Sequence, residues 1–252
     1  MKARLVALAL LTTAVGTAPA VAQVDSCPGD MAGPATRATV EYVSGGRAIR
    51  ALHYVPGRPN GRALVLLHGA GGLRQDAPVF DPHLLQLAAR GWHVLAPAYY
   101  DALDPPERRT SRDLRVWRRV AHDGAGWLRR RPGMEAGRVA VMGYSLGGFL
   151  AVEAAMEEPV WSAGIAVAAG LDVGEPLRDR RGTPLLLIHA ERDPVISPVS
   201  TRQWAGGLER RGAAVRVHEL VWSGHFFDRA TWCGIFSETT AFLDAAMPDA
   251  AP

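Results

Sequence analysis

The sequence predicts an α/β fold in which a mainly parallel sheet is covered by helices on both faces. Strand patterns alternate with helix patterns through most of the chain, which is typical of that architecture. Several strand patterns are continuous apolar runs, as expected for strands buried on both faces. The 252 residues, 48% of them hydrophobic, are enough for one full-sized core. We therefore expect a single domain over residues 23–252.

The first half of this fold opens with two alternating runs around Gly45 and Gly46, which predict a pair of strands joined by a turn. An amphipathic pattern that ends at Gly91 predicts the first helix. Leu114 and Trp117 share one face of the second helix, and arginines occupy the other. The patterns place strands within 38–55 and over 62–69 and 92–100, and helices over 82–91 and 111–133.

The second half repeats the alternation. The patterns predict strands over 138–143, 161–170, 183–190 and 213–221, and helices over 146–158, 197–212 and 229–247. In parallel sheets of this kind the chemistry gathers at the carboxyl ends of the strands. Residues that directly follow a predicted strand are therefore the first candidates for a site.

The N-terminus has the pattern of a secretory signal peptide over residues 1–22. A short basic start leads into an apolar stretch from Leu5 to about Val15, with small residues at Ala20 and Ala22. The alternative is a membrane anchor, for which the apolar stretch is too short. We expect cleavage after Ala22 and an exported protein, periplasmic or secreted, without a membrane span.

Cys27 and Cys233 are the two cysteines left after cleavage. An even number of cysteines in an exported chain predicts one disulfide, which would tie the N-terminal arm to the last helix. Two unpaired thiols, or a lipid on Cys27, are the alternatives.

The charge pattern argues against several other classes of ligand. The formal net charge of +3 falls by two when Lys2 and Arg4 leave with the signal peptide, and no basic tail or stripe indicates nucleic-acid binding. Two cysteines cannot build a zinc site alone, and no histidine pair has helical metal-ligand spacing. We therefore expect neither a metal nor another cofactor.

Ser145 lies in the motif Gly143-Tyr144-Ser145-Leu146-Gly147, between a predicted strand and a predicted helix. This is the context of a G-x-S-x-G turn that presents a nucleophilic serine at the tip of a strand. A sharp turn leaves no space for side chains two residues before and after the serine, which explains glycine at both places. A plain tight turn is the structural alternative.

A serine hydroxyl needs a general base, and that base needs a group to orient it. Asp193 and His225 each follow a predicted strand, and the order Ser, Asp, His is the one that this architecture uses. Asp172, which follows the preceding strand, is the reserve candidate for the acid. Glu191 is a weaker rival, since it has the character of a solvated loop charge.

The segment His68–Gly72 follows an early buried strand and predicts the second part of such a site. An oxyanion that forms on the substrate needs backbone N–H donors. The expected donors are Leu146, directly after the serine, and Ala70 in this loop. A flexible surface loop is the alternative.

These motifs, "LLHGAGG", "RVAVMGYSLGG", "IHAERDPVISP" and "SGHFFDR", resemble the α/β-hydrolase superfamily and, within it, the dienelactone hydrolase-like group. The resemblance covers roughly residues 47–247. It implies the α/β-hydrolase fold, a triad of Ser145, Asp193 and His225, and oxyanion donors at Ala70 and Leu146.

The sequence departs from that group at two places and matches it at a third. Ser145 stands where dienelactone hydrolases use cysteine, and Gly69 stands where they carry a glutamate. Arg229 matches their substrate-carboxylate arginine, although a helix-surface arginine is the simpler interpretation, and the partner arginine after "VLAPAYY" has no clear counterpart. The resemblance therefore supports ester hydrolysis without identifying a lactone substrate.

The sequence favours an exported serine hydrolase that cleaves small carboxylic esters or lactones through an acyl-enzyme. A serine peptidase or acyltransferase would use the same three residues, and a binding protein without activity would use none of them. The sequence leaves the oligomeric state open.

Overall fold

The computed structural model describes residues 33–103, 110–134, 138–171, 177–178, 180 and 182–248, and these contain one eight-stranded sheet. Its spatial order is β1-β2-β4-β3-β5-β6-β7-β8. β2 pairs antiparallel with β1 and β4, and the remaining pairs are parallel. The strands are β1 Ala35–Ser44, β2 Arg47–Pro56, β3 Arg62–Leu67, β4 His93–Pro97, β5 Arg138–Tyr144, β6 Trp161–Val167, β7 Pro184–Arg192 and β8 Ala214–Ser223.

Helices cover both faces of this sheet, as the sequence predicts. α2, α3 and α4 pack on one face, and α1 and α5 pack on the other. The mainly parallel α/β architecture is therefore confirmed. The helices are α1 Leu73–Ala89, α2 Ser111–Leu128, α3 Leu146–Glu157, α4 Pro198–Arg210 and α5 Arg229–Ala246.

β3 shows why the central strands have continuous apolar sequences. After Arg62, which pairs with Asp244, all its residues are apolar and buried, and successive side chains pack into opposite cores. Val65 and Leu67 pack under α2 and α3, whereas Leu64 and Leu66 pack under α1 and α5. Successive side chains of a strand point to opposite faces of the sheet, so the part of a strand that is covered on both faces needs apolar residues throughout.

Several predicted boundaries are wrong. α2 ends at Leu128 and β6 at Val167, before the predicted 133 and 170. α1 begins at Leu73 rather than at Pro82, and it contains Pro78 and Pro82. Proline usually marks the first turn of a helix, but here burial of Phe80 and its neighbours against the sheet outweighs two missing backbone donors. β4 ends at Pro97, and Tyr99–Ala102 form a short 3-10 helix where the sequence predicts more strand.

The predicted signal peptide and Cys27 lie outside the described residues, so export and the disulfide stay predictions. Cys233 lies on α5, beside a recess of about 250 Å³ that His83 and Arg90 also line. Within the described part of the chain, no helix has both the length and the apolarity to cross a membrane.

We expect the intact mass of the protein purified after export to correspond to a chain that begins at Gln23 and carries a Cys27–Cys233 disulfide. The bond would close a long loop, and its removal should lower the free energy of unfolding by at most about 4–5 kcal/mol. Cys233→Ser is the matched variant for that measurement. Two thiols that react with iodoacetamide in the unreduced, denatured protein would contradict the disulfide.

Candidate active site

Ser145 occupies the sharp turn between β5 and α3. Its backbone adopts φ 50° and ψ −118°, a conformation that costs a non-glycine residue free energy. A Cβ added at Gly143 would lie 2.0 Å from the carbonyl oxygen of Gly147, and one added at Gly147 would lie 2.2 Å from that of Leu67. The expectation that both flanking positions require glycine is confirmed.

The turn places the Ser145 hydroxyl beside His225, which lies in the loop after β8. Ser145 Oγ is 2.9 Å from His225 Nε2, and His225 Nδ1 is 2.8 Å from Asp193 Oδ2. The Asp193 side chain is fully buried, and that of His225 is 7% exposed. The three residues predicted from strand ends therefore form one continuous hydrogen-bonded chain.

Both oxygens of the Asp193 carboxylate have hydrogen-bond partners. Oδ1 accepts from the backbone N–H groups of Val195 and Ile196 at 2.8 and 2.9 Å, and Oδ2 faces His225. Since a carboxylate only accepts, the proton on His225 lies on Nδ1, and Nε2 is left to accept from the Ser145 hydroxyl. The loop after β7 thus sets the tautomer of the histidine.

The rival acids occupy other places. Glu191 accepts hydrogen bonds from its neighbour Arg192 at 2.6 and 3.1 Å. Asp172 lies outside the described residues. Five of the other histidines are buried, and one of them, His68, stacks on Tyr99 with 3.9 Å between ring centroids.

The two predicted oxyanion donors lie at the same edge of the sheet. Leu146 is the first residue of α3, so its N–H has no acceptor within the helix. Ala70 lies in the loop between β3 and α1. The backbone of Gly147 approaches the carbonyl groups of Leu67 and His68 so closely that it leaves no space for a Cβ. The start of this loop therefore lies against the serine turn.

A protein-family model matches most of this chain. The model of the dienelactone hydrolase family matches residues 49–232, which include all three residues of the hydrogen-bonded chain. The chain belongs to the dienelactone hydrolase family.

One curated relative matches part of this chain. A protein whose assignment as an esterase is itself provisional, NocK of Nocardia uniformis subsp. tsuyamanensis, is 33% identical over 181 residues. That match covers 64% of this chain and 50% of NocK. This chain therefore spans about half the length of that curated relative.

Solved structures agree on the α/β-hydrolase fold. XC6422 from Xanthomonas campestris, described as a serine hydrolase without a lid, is 16% identical with a TM-score of 0.66, and the match covers 87% of this chain and 98% of that one. The acylaminoacyl peptidase of Pyrococcus horikoshii is 13% identical with a TM-score of 0.67, over 86% of this chain and 43% of the peptidase. At these identities the likeness establishes the fold alone.

Arg229, the match to the family's substrate arginine, is the first residue of α5. It lines a recess of about 440 Å³ together with His83, Phe227 and Trp232. Burial lowers the pKa of His83 to about 4, and the nearby positive charge of Arg229 acts in the same direction. The substrate-binding role of Arg229 stays a prediction.

Three side chains that the sequence analysis missed hold the loop that contains Ala70. The hydroxyl of Tyr99 donates to the carbonyl of His68 at 2.8 Å, and that of Tyr100 donates to the carbonyl of Ala70 at 3.2 Å. The N–H of Gly69 donates to Asp76 Oδ2 at 2.6 Å. The only sequence signal was the tyrosine pair at the end of a predicted strand.

Asp76 places a carboxylate against Gly69, the residue that sequence resemblance aligns with a glutamate. A Cβ on Gly69 would lie 3.1 Å from Asp76 Oδ2 and 3.0 Å from Tyr144. Burial raises the pKa of Asp76, and the hydrogen bond from Gly69 partly opposes that shift. The carboxyl group therefore holds the residue next to the expected oxyanion donor.

Asp76→Ala should lower kcat about 10- to 100-fold with little change in KM. Complete removal of an oxyanion donor lowers kcat by about 10²–10³. This substitution should have a smaller effect, because it only frees Gly69, the residue next to the donor. Asp76→Asn, whose amide oxygen accepts the same N–H, should recover most of the activity. Asp81→Ala on the same helix is the control. Equal losses in kcat and in the free energy of unfolding for Asp76→Ala and Asp76→Asn would contradict a positioning role.

Within the described part of the chain, no group of three His, Cys, Asp or Glu side chains is arranged to hold a metal ion.

Proposed function

We propose that this chain is an exported serine hydrolase that cleaves carboxylic esters in an oxidising compartment. The observation that carries the proposal is the hydrogen-bonded chain from Ser145 through His225 to the buried Asp193. Such a chain activates a hydroxyl that is otherwise a weak nucleophile. Export rests on the N-terminal pattern alone.

In the proposed mechanism, Ser145 Oγ attacks the carbonyl carbon of the ester while His225 Nε2 takes the hydroxyl proton. The N–H groups of Ala70 and Leu146 stabilise the negative charge on the former carbonyl oxygen. As the intermediate collapses, His225 gives its proton to the departing alcohol and an acyl-serine remains.

Water then attacks the acyl-serine, again with His225 as the base, and the acid leaves with Ser145 restored. Asp193 keeps its charge throughout and stabilises the imidazolium that forms twice in the cycle. Each step moves one proton between His225 and a reacting oxygen, so these residues need no cofactor for the reaction.

A fluorophosphonate probe should label Ser145, and peptide mapping of the labelled protein tests this. A panel of esters, lactones and peptides then distinguishes an esterase from a peptidase on the same residues. The esterase assignment of NocK favours esters. Absence of label on Ser145 in the folded protein would support the binding-protein alternative and remove the proposal.

If Arg229 binds a carboxylate near the scissile ester, Arg229→Met should lower kcat/KM for an anionic ester about 10- to 150-fold, which is the ~1.5–3 kcal/mol of a charged hydrogen bond. The neutral methyl ester of the same acid should lose little. Arg178→Met, which changes another described arginine outside this recess, is the control. Equal losses on both esters would identify Arg229 as a surface residue.

A further inference from the structure

A cleft of about 160 Å³ lies between the start of α1 and the loop that carries His225. Gln75 and Asp76 contribute its polar wall. The remaining lining side chains are apolar or aromatic, namely Val79, Phe80, Tyr144, Phe226, Phe227 and Trp232.

The walls of this cleft belong to the same segments that hold the reacting groups. Tyr144 precedes Ser145, and its hydroxyl donates to the carbonyl of His225 at 2.9 Å. Asp76 holds the loop that contains Ala70 through its bond to Gly69. The cleft is therefore bounded by residues that are next to Ser145 and His225 in the chain or that hold the loop of Ala70.

Phe226 is the unusual member of the lining. It follows His225, with 5.6 Å between the two rings in an edge-on arrangement, yet the residue is 72% exposed. Val79, across the cleft on α1, is 41% exposed. Since these apolar side chains bury little surface within the protein, a bound apolar group would remove them from water.

The size and the charge of the cleft define what fits. An apolar cavity of ~150 Å³ accepts one benzene ring. The cleft, at about 160 Å³, therefore has room for one aryl group. The carboxyl group of Asp76 in the wall disfavours an anionic group there. The neighbouring recess beside Arg229 shares Val79, Phe227 and Trp232 with the cleft and extends the apolar surface.

We propose that this cleft is a substrate subsite for an uncharged aryl group of the ester, and that Phe226 determines that specificity. The proposal rests on the proposed function for its catalytic part. The group belongs either to the alcohol or to the acyl part of the ester, and the two share the chemistry that the cleft recognises.

The catalytic test uses three esters on the full chain: ethyl acetate, benzyl acetate with the ring on the alcohol, and ethyl phenylacetate with the ring on the acyl part. Phe226→Ala should lower kcat/KM for one of the aryl esters, relative to ethyl acetate, about three- to tenfold, the value of one aromatic contact. Each loss is measured against the wild type on the same ester, so the different intrinsic reactivities of the esters cancel. Val221→Ala, which shortens a residue on β8 that is 90% exposed, is the control.

A binding test does not need turnover. In Ser145→Ala, benzyl alcohol should shift the indole N–H resonance of Trp232, assigned by comparison with Trp232→Phe, and Phe226→Ala should weaken the apparent Kd about three- to tenfold. Hydrolysis with the same loss on all three esters would overturn the subsite and leave the proposed function standing. Binding without any hydrolysis by the wild type would support the apolar site and overturn the proposed function.

Discussion

Ser145→Ala should lower ester turnover by about 10⁶ while the protein stays folded, the loss expected when a triad nucleophile is removed. The Ser145 Oγ–His225 Nε2 distance of 2.9 Å allows direct proton transfer, and alanine has no atom that can attack the carbonyl. The hydroxyl contributes little to packing. We therefore expect the free energy of unfolding to change by less than about 1 kcal/mol.

The measurement is single-turnover and steady-state hydrolysis of an ester that the wild type cleaves, with circular dichroism to verify folding. Ser162→Ala is the matched control, because Ser162 lies near the amino end of β6, at the opposite edge of the sheet. Near-normal turnover by Ser145→Ala would show that Ser145 is not the nucleophile, despite the geometry around it.

Asp193→Asn should lower kcat by about 10⁴, the loss that this substitution causes when it reverses the histidine tautomer. The N–H groups of Val195 and Ile196 point at Oδ1, so the amide oxygen of the asparagine takes that position. The amide NH₂ then faces His225 Nδ1, which must accept a hydrogen bond. The proton moves to Nε2, and the histidine can no longer take the proton of Ser145.

A histidine with the wrong tautomer has a recognisable signature. The loss should appear in kcat, and ¹⁵N chemical shifts of His225 should show the proton on Nε2 instead of Nδ1. Glu191→Gln and Asp172→Asn should keep wild-type kcat. A large loss in Asp172→Asn with a small loss in Asp193→Asn would show that the acid is Asp172.

The Ser145 turn was predictable because its requirements are local. The glycines two residues before and after Ser145 are demanded by backbone atoms within the turn and by the strand beside it, so a short motif is enough to predict it. Asp193 and His225 were predictable for a different reason. Parallel strands end at one edge of the sheet, so residues after β7 and β8 must lie near one another wherever the strands are correctly assigned. Their roles in catalysis stay predictions.

The start of α1 was not predictable from its own residues. Pro78 and Pro82 disfavour a helix locally, and only the burial of Phe80 and Leu84 against the sheet compensates for them. Asp76 lies in the first turn of α1, which could not be predicted as helix because Pro78 and Pro82 follow it. Its bond to Gly69 was therefore invisible in the sequence, although the two residues are close along the chain.

The sequence by itself determined the α/β architecture and the positions of Ser145, Asp193 and His225 at strand ends, because strand burial and turn geometry are encoded in neighbouring residues. Only the tertiary structure decided what surrounds them. Tyr100 reaches the Ala70 carbonyl because β4 is the neighbour of β3 in the sheet. Phe226 and Val79 line one cleft because the loop before α5 lies beside the start of α1. Those contacts depend on the order of strands and the packing of helices, which no short stretch of sequence specifies.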